Sequence, residues 1–267
     1  MTRLLFLGAG DIGKAMISRL TETGMAGKIE ISVCDPYFNN TDIQTTSEIT
    51  AIYPTLEAAQ LNGAYDVIVI AIAPELFGKL AHLMKLVTTR QSLVISVMPG
   101  INVETLRHNH AYSVVRAMPN IGAKSGHSAT GCYAGPYVTE AGRAIATRLL
   151  QTIGSVYWVK EESHLHAVTA ISGCGPAYFF AFTEALAKAG ISLGLPDDLA
   201  LDLAIDTLHS ASASLHADRS PARLRDEVTT PRGVTAAALK LFGEENNLET
   251  LVRRATKAAN DRSTDLE

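Results

Sequence analysis

Apolar residues are arranged along this chain in two distinct ways. Up to about residue 160 they come in short runs, each ended by glycine, proline or polar residues. Residues 4–7 (LLFL) run straight into glycines, and residues 29–34 form a second run. YDVIVIAIA (65–73) is apolar on both faces, as a central parallel strand must be. SLVISVM (92–98) and YSVVRAM (112–118) follow, and then SATGCYAG and GSVYWVK lie on either side of a helical run at 139–152. This alternation predicts an α/β fold, a doubly wound sheet covered by helices. Beyond residue 160 the strand signal stops and helical spacing takes over. GPAYFFAFTEALAKAGISLGL repeats apolar residues through Tyr178, Phe182, Leu186 and Ala189 and ends at Gly190–Gly194. PDDLALDLAIDTLHSASASLHA opens with Pro196 and two aspartates, a sound helix start. Two or three more helices complete the chain. The expected division is therefore a sheet domain over 1–160 and an all-helical domain over 161–267.

Composition narrows the function classes. A formal net charge of −4, with no dense Lys/Arg run, argues against a nucleic-acid binder. No apolar segment reaches the roughly 18 residues of a membrane helix, and the N-terminus lacks a signal-peptide pattern, so a cytoplasmic protein is expected. Cys34, Cys132 and Cys174 lie far apart and make no CxxC, and His164 and His166 lack neighbouring ligands, so no metal is expected.

LLFLGAGDIGKAM supplies Gly8, Gly10 and Gly13 as G-x-G-x-x-G between a strand and a helix, with Asp11 and Ile12 opening that helix. The first glycine permits a tight turn, the second lets a pyrophosphate approach the backbone, and the third lets helix and strand pack closely. Asp35 ends the second strand, where a carboxylate accepts the ribose hydroxyls of NADH and repels the 2′-phosphate of NADPH. The alternative is an aspartate that only forms a turn before Pro36. In the helical half, DEVTTPRGVTAAALKLF crowds hydroxyls and a glycine before a helix. Thr230 suits an N-cap and Pro231 the first helical position, leaving first-turn N–H groups near Gly233, Val234 and Thr235 for a small anion such as a carboxylate. An ordinary capped helix explains Thr230 and Pro231 equally well. It explains Gly233 and Arg232 poorly, because glycine weakens a helix and a cation in a first turn opposes the helix dipole.

Three motifs in order carry a family resemblance: VVRAMPN (114–120), AISGCGPAYFFAFTEALAKAG (170–190) and LRDEVTTPRGVTAAAL (224–239). With these the chain resembles the pyrroline-5-carboxylate reductase family over its whole length. The resemblance implies a Rossmann-type domain followed by a helical dimerisation domain, in a homodimer or higher homo-oligomer. It implies reduction of a five-membered cyclic imine carboxylate to L-proline, with NADH or NADPH as cofactor. Thr235 matches the family threonine that hydrogen-bonds the ring nitrogen, and the substrate carboxylate would rest on Thr230, Arg232, Gly233, Val234 and Thr235. Met118 and Asn120 would lie at the cofactor edge, as would the segment Ala71, Ile72, Ala73 and Pro74, which resembles the family's A-V-K-P.

The chain departs from the family pattern at Ala73 (usually Lys), at Ile121 and Gly122 (Thr-Pro), at Cys174 (Ser) and at Arg232 (Gly). Arg232 is expected to face a carboxylate or phosphate, or else to point to solvent. Cys174 sits at an expected helix start, which can lower a thiol pKa, but is not expected to act as a nucleophile; Ser172, Gly173, Gly175 and Pro176 are expected to shape the helix start. Two rival functions are a reductase of a related cyclic imine and a dinucleotide-binding protein without chemistry.

Overall fold

The computed structural model describes residues 2–24, 29–39 and 49–267. The chain forms two compact units, Met1–Cys174 with Ala259–Glu267, and Gly175–Ala258.

In the first unit, eight strands among the described residues form one sheet in the order β3-β2-β1-β4-β5-β6-β7-β8. They are β1 (Thr2–Leu7), β2 (Ile29–Cys34), β3 (Ile49–Tyr53), β4 (Val67–Ile70), β5 (Leu93–Ser96), β6 (Ser113–Met118), β7 (Ser128–Ala134) and β8 (Gly154–Trp158). β1 to β6 run parallel to one another, β7 runs antiparallel to β6, and β8 is parallel to β7. Because successive side chains point to opposite faces, Leu4 and Phe6 enter one core while Leu5 and Leu7 enter the other. All four are essentially excluded from water, which is why these strands read as continuous apolar runs.

Helices α1 (Asp11–Glu22) and α5 (Glu140–Gln151) contribute to the first core. Helices α2 (Leu56–Gln60), α3 (Pro74–Leu80) and α4 (Val103–His108) contribute to the second. The sheet is thus doubly wound, as the pattern predicts. The short edge strand β3 has no counterpart among the expected strands, because its residues are only half-buried and carry no apolar run.

Helix α6 (His164–Val168) packs on β7 and passes into a π-helical turn at Thr169–Gly173. Arg116 on β6, 3% exposed, lies 2.7 Å from Glu162 and also meets Glu267. Glu267 reaches His166 at 3.0 Å, and the other ring nitrogen of His166 meets Ser263. These contacts tie the last residues of the chain to the sheet unit.

The second unit is helical: α7 (Gly175–Ser192), α8 (Asp197–Ala217), α9 (Pro221–Glu227), α10 (Val234–Gly243) and most of α11 (Asn247–Asp265). α7 and α8 pack on each other through small residues; a Cβ on Gly190 would stand 3.2 Å from that of Ala200. The unit buries little besides Ala187, Ala200 and Ala204, leaving Phe179, Phe180, Leu241 and others more than half exposed.

The sequence expectation of no membrane-length apolar segment is corrected on one count. The helical stretch His164–Ser192 is 29 residues long and apolar enough, by length and composition, to cross a membrane. The apolar residues there are interspersed with His166, Thr169, Ser172, glycines and Pro176, so they form no continuous apolar run although the stretch 163–183 carries no Asp, Glu, Lys or Arg.

Candidate active site

The glycine loop follows from close packing at the end of β1. Gly8 has φ +93°, and a Cβ there would stand 2.5 Å from Ile72 Cγ2 and 2.7 Å from the Ala71 carbonyl oxygen. A Cβ on Gly13 would stand 2.6 Å from the Gly8 oxygen. Both glycines are therefore demanded by the fold itself. Gly10 is not. Its φ of −68° suits any residue, and the nearest atom to an added Cβ is the Ala71 oxygen at 4.0 Å. This open ground lies at the mouth of α1, whose N-cap Gly10 supplies no side-chain hydrogen bond. First-turn N–H groups and unobstructed backbone are what a dinucleotide pyrophosphate requires, so the residues present fit such a cofactor. Ile12 follows in the same turn. Asp11 forms an exposed ion pair with Lys124 at 3.0 Å. The sequence gives no signal for Lys124, which the fold brings in from the 3-10 turn Ile121–Ser125.

Ala71 and Ile72 continue from β4, the Ala71 N–H donating to the Leu7 oxygen at 2.8 Å. Ala73 is the N-cap of α3 and Pro74 its first residue. Asp35 accepts from the Ala9 N–H at 2.9 Å through one oxygen and from the Tyr37 N–H at 2.8 Å through the other. The turn-forming role is therefore real, and the same carboxylate straps the glycine loop to the end of β2. Each oxygen keeps a second lone-pair direction, so acceptance of ribose hydroxyls remains open to it.

Met118 ends β6, half-buried. Asn120 lies two residues on and is held on three sides. Its Oδ1 accepts from the Gly122 N–H at 2.9 Å, its Nδ2 donates to the Ser172 carbonyl at 3.0 Å, and its own N–H donates to Ser128 Oγ at 3.0 Å. The Ser172 carbonyl is available for a simple reason: residue 176, its ordinary i+4 donor, is a proline without an N–H. Ser172 Oγ in turn donates to the Ala129 carbonyl.

Two sequence expectations change here. The S-G-C-G segment is not a helix start. It continues from α6 through the π turn, where the Cys174 N–H bonds the Thr169 oxygen five residues back at 2.8 Å. The helix-start environment invoked for the Cys174 thiol is therefore absent. The second change concerns Thr230 and Pro231. They precede α10 rather than open it, and its N-cap is Gly233, again without a side-chain cap.

Residues 230–233 form a tight turn, with the Gly233 N–H on the Thr230 oxygen at 2.9 Å. Pro231 fills the second position and Arg232, φ +60°, the third, the pattern of a type II turn. Arg232 is thus not in a helical first turn, and the dipole argument does not apply to it; its conformation is one that favours glycine. Gly233 is needed for space, since a Cβ would meet Thr230 Oγ1 at 2.2 Å. Val234 is the first residue of α10, 90% exposed, and Thr235, half-buried, is the second, its hydroxyl at an uncapped helix mouth.

The structure brings Gly8, Gly10, Gly13, Asp35, Ala71 and Ile72 together, and Lys124 links that loop to the turn after Asn120. The loop 230–235 belongs to the helical unit.

Comparison with known proteins agrees with this geometry. The family described as "Pyrroline-5-carboxylate reductase dimerisation" matches residues 162–266, and "NADP oxidoreductase coenzyme F420-dependent" matches residues 3–100. Pyrroline-5-carboxylate reductase of Pseudomonas aeruginosa is 34% identical over 99% of this chain and 96% of its own length. That of Pisum sativum is 30% identical over 98% and 94%. Among solved structures, a pyrroline-5-carboxylate reductase from Coxiella burnetii superposes with a TM-score of 0.89 at 28% identity, covering 100% of this chain and 98% of that one. The Plasmodium falciparum pyrroline carboxylate reductase, with NADP bound, gives 0.81 at 25% over 99% and 98%. With an α/β dinucleotide-binding half, a helical dimerisation half and relatives matched end to end, the chain belongs to the pyrroline-5-carboxylate reductase family.

Proposed function

We propose that this protein reduces 1-pyrroline-5-carboxylate to L-proline with a nicotinamide cofactor, one hydride and one proton being added across the ring C=N bond. One observation carries the proposal: the space beside Gly10 at the uncapped mouth of α1, in a chain whose full-length relatives are pyrroline-5-carboxylate reductases. When bound, the cofactor supplies the hydride. Residues 1–160 would hold it, Gly8, Gly10, Gly13, Asp11 and Ile12 at the pyrophosphate, with Ala71–Pro74, Met118 and Asn120 along its length.

Residues 161–267 would hold the substrate and the partner subunit in a homodimer or higher homo-oligomer. The Val234 and Thr235 N–H groups would take the substrate carboxylate, with Thr230, Arg232 and Gly233 shaping the turn beneath it. The Thr235 hydroxyl would orient the ring nitrogen. No side-chain acid is required, since the imine can arrive protonated, and catalysis is then mostly positioning. The apolar helix His164–Ser192 is read as a subunit contact and not a membrane span, and the enzyme as cytoplasmic.

NADH is the proposed preference. Asp35 ends β2, and no Lys or Arg occurs anywhere between Ile29 and Gly78 to meet a 2′-phosphate. The first experiment is steady-state reduction of pyrroline-5-carboxylate with NADH and NADPH side by side, for wild type and Thr235→Ala. The expected result is a higher kcat/KM with NADH and a kcat lowered at least tenfold in the variant. Better turnover with NADPH would remove Asp35 from selectivity, and a wild-type kcat in the variant would remove Thr235 from the mechanism. Arg232, where the family has glycine, favours a second reading, a related cyclic imine as substrate. Comparing pyrroline-5-carboxylate with its six-membered analogue decides between the two.

A further inference from the structure

The sheet unit carries a second constellation, at the opposite end of the strands from the glycine loop. The glycine loop follows β1, whereas the segments leading into β5 and β6 surround a cavity of about 280 Å³ lined by Lys85, Thr88, Thr89, Arg90, Arg107, His110 and Tyr112. The length of β5, four residues at about 3.3 Å each, puts it roughly 13 Å from the cofactor end. Three cationic side chains border this one small space in a chain of net charge −4.

Only Arg107 is neutralised, by Glu104 at 3.0 Å, and its buried Nε has no hydrogen-bond partner. Among the described residues neither Lys85 nor Arg90 forms an ion pair. The guanidiniums are held in place. Tyr112 and Tyr137 stack at 4.4 Å, with Arg90 over the first ring at 6.0 Å and Arg107 over the second at 4.5 Å. The loop between them is also fixed: Thr88 Oγ1 lies 3.1 Å from the His110 carbonyl, the Thr89 N–H donates to Ser92 Oγ at 2.9 Å, and buried Ser92 donates to the Tyr65 carbonyl at 2.6 Å. Two guanidiniums placed over a tyrosine pair, with Lys85 at the rim, around a cavity below the usual 300–1,000 Å³ of drug-sized ligand sites suit a compact anion of more than one charge.

We propose that this cavity binds a phosphoryl group, as free phosphate or as a small phosphate ester, with Lys85, Arg90 and Arg107 as its donors. Guanidinium forks match phosphate oxygens two at a time, and Thr88, Thr89 and Tyr112 complete the lining. The site is separate from that of the reduction and does not rest on the proposed activity.

The test is isothermal titration of inorganic phosphate, and separately of phosphoserine, into the full-length protein at fixed ionic strength, with and without saturating NADH. The partner sample is the exposed double variant Lys85→Gln/Arg90→Gln. The expected result is saturable binding of one phosphate per chain, kept when NADH is present and weakened at least tenfold in the variant, whose melting temperature and NADH affinity match wild type. Tighter phosphoserine binding assigns an ester as the ligand and tighter phosphate binding the free anion; either supports the site. Absence of saturable binding overturns the proposal. So does loss of the signal with NADH, which would place the phosphate on the glycine loop, and so does equal affinity in the variant.

Discussion

Arg232 offers the sharpest test of the reasoning, because two effects of one substitution have opposite signs. Its φ of +60° places an L-residue with a Cβ in the left-handed region, at the third position of the turn from Thr230 to Gly233. Such a conformation costs roughly 1–2 kcal/mol for a residue other than glycine. Glycine removes that cost but loses about 0.5–1 kcal/mol through its more flexible unfolded chain. Arg232→Gly should therefore stabilise the protein by about 0.5–1 kcal/mol. At about 2–4 °C per kcal/mol for chains of this size, the melting temperature should rise by about 1–4 °C. If the guanidinium also helps to hold the substrate carboxylate, the KM for the imine should rise in the same variant by tenfold or so, a charge-assisted hydrogen bond being worth about 1.5–3 kcal/mol. Differential scanning calorimetry and steady-state kinetics on one preparation measure both. A lowered melting temperature would refute the strain argument, and an unchanged KM would leave Arg232 with no part in binding.

The glycine loop predicts a contrast. Gly8→Ala forces a Cβ to 2.5 Å from Ile72 Cγ2 at φ +93°, so it should cost about 3 kcal/mol or more from strain and overpacking together. Gly10→Ala meets nothing closer than 4.0 Å, so urea denaturation should show a loss below about 1 kcal/mol while NADH affinity falls at least tenfold; undiminished affinity would dismiss the cradle. Burial pushes the Cys34 thiol up to about 12, and the charges of Asp35 and Glu57 add to this; burial likewise puts Cys132 at about 12. Neither should be alkylated by iodoacetamide at pH 8 in the native protein, and mass mapping that finds either labelled would contradict the packing of β2 or β7. Arg116→Leu leaves Glu162 and Glu267 facing each other without their cation. Breaking a buried pair costs about 3–5 kcal/mol, reduced here to about 2–4 because the carboxylates are partly exposed. A urea midpoint indistinguishable from wild type would show that the network contributes nothing.

The centre of the sheet was legible because its strands are buried on both faces, so apolar runs and strand positions coincide in β1, β2, β4, β5 and β6. β3 was not legible: a half-buried edge strand needs no apolar run, and ITAIY supplies none. The glycine fingerprint was read correctly as a close-packed turn, yet only coordinates separate Gly8 and Gly13, which the fold requires, from Gly10, which it does not. In the helical half the residues of the loop were found but its geometry was misjudged. Proline is equally at home at the first position of a helix and at the second position of a turn. What settles the matter is the glycine two residues later. Gly233 lets Thr230 fold back across it, so the chain turns before the helix begins, and Arg232 is left at the position that favours glycine. The sequence gave no warning of the π turn at Thr169–Gly173, nor of the Asn120 side chain that reaches the Ser172 carbonyl from fifty-two positions away.

The helical unit shows why local sequence determined its loop but not its shielding. In α8, Leu199, Leu201, Leu203 and Ile205 are spaced by two, so on a helix they point in nearly opposite directions, and each remains 44–49% exposed. In α7, Phe179, Phe180 and Phe182 likewise spread around the axis at 50–60% exposure. A helix that is apolar all round is a buried helix. One copy of this unit, with little beyond Ala187, Ala200 and Ala204 inside, cannot bury it. A second copy can, and the dimerisation family that matches residues 162–266 covers these helices. The turn at 230–233, by contrast, closes on its own backbone hydrogen bond and on the contact of Thr230 with Gly233, neither of which needs a partner. The conformation of the loop is therefore set by a few adjacent residues, while the helices that carry it are completed by assembly. That division of labour explains why the sequence announced the loop so clearly and left its surroundings looking like a core with nothing to enclose.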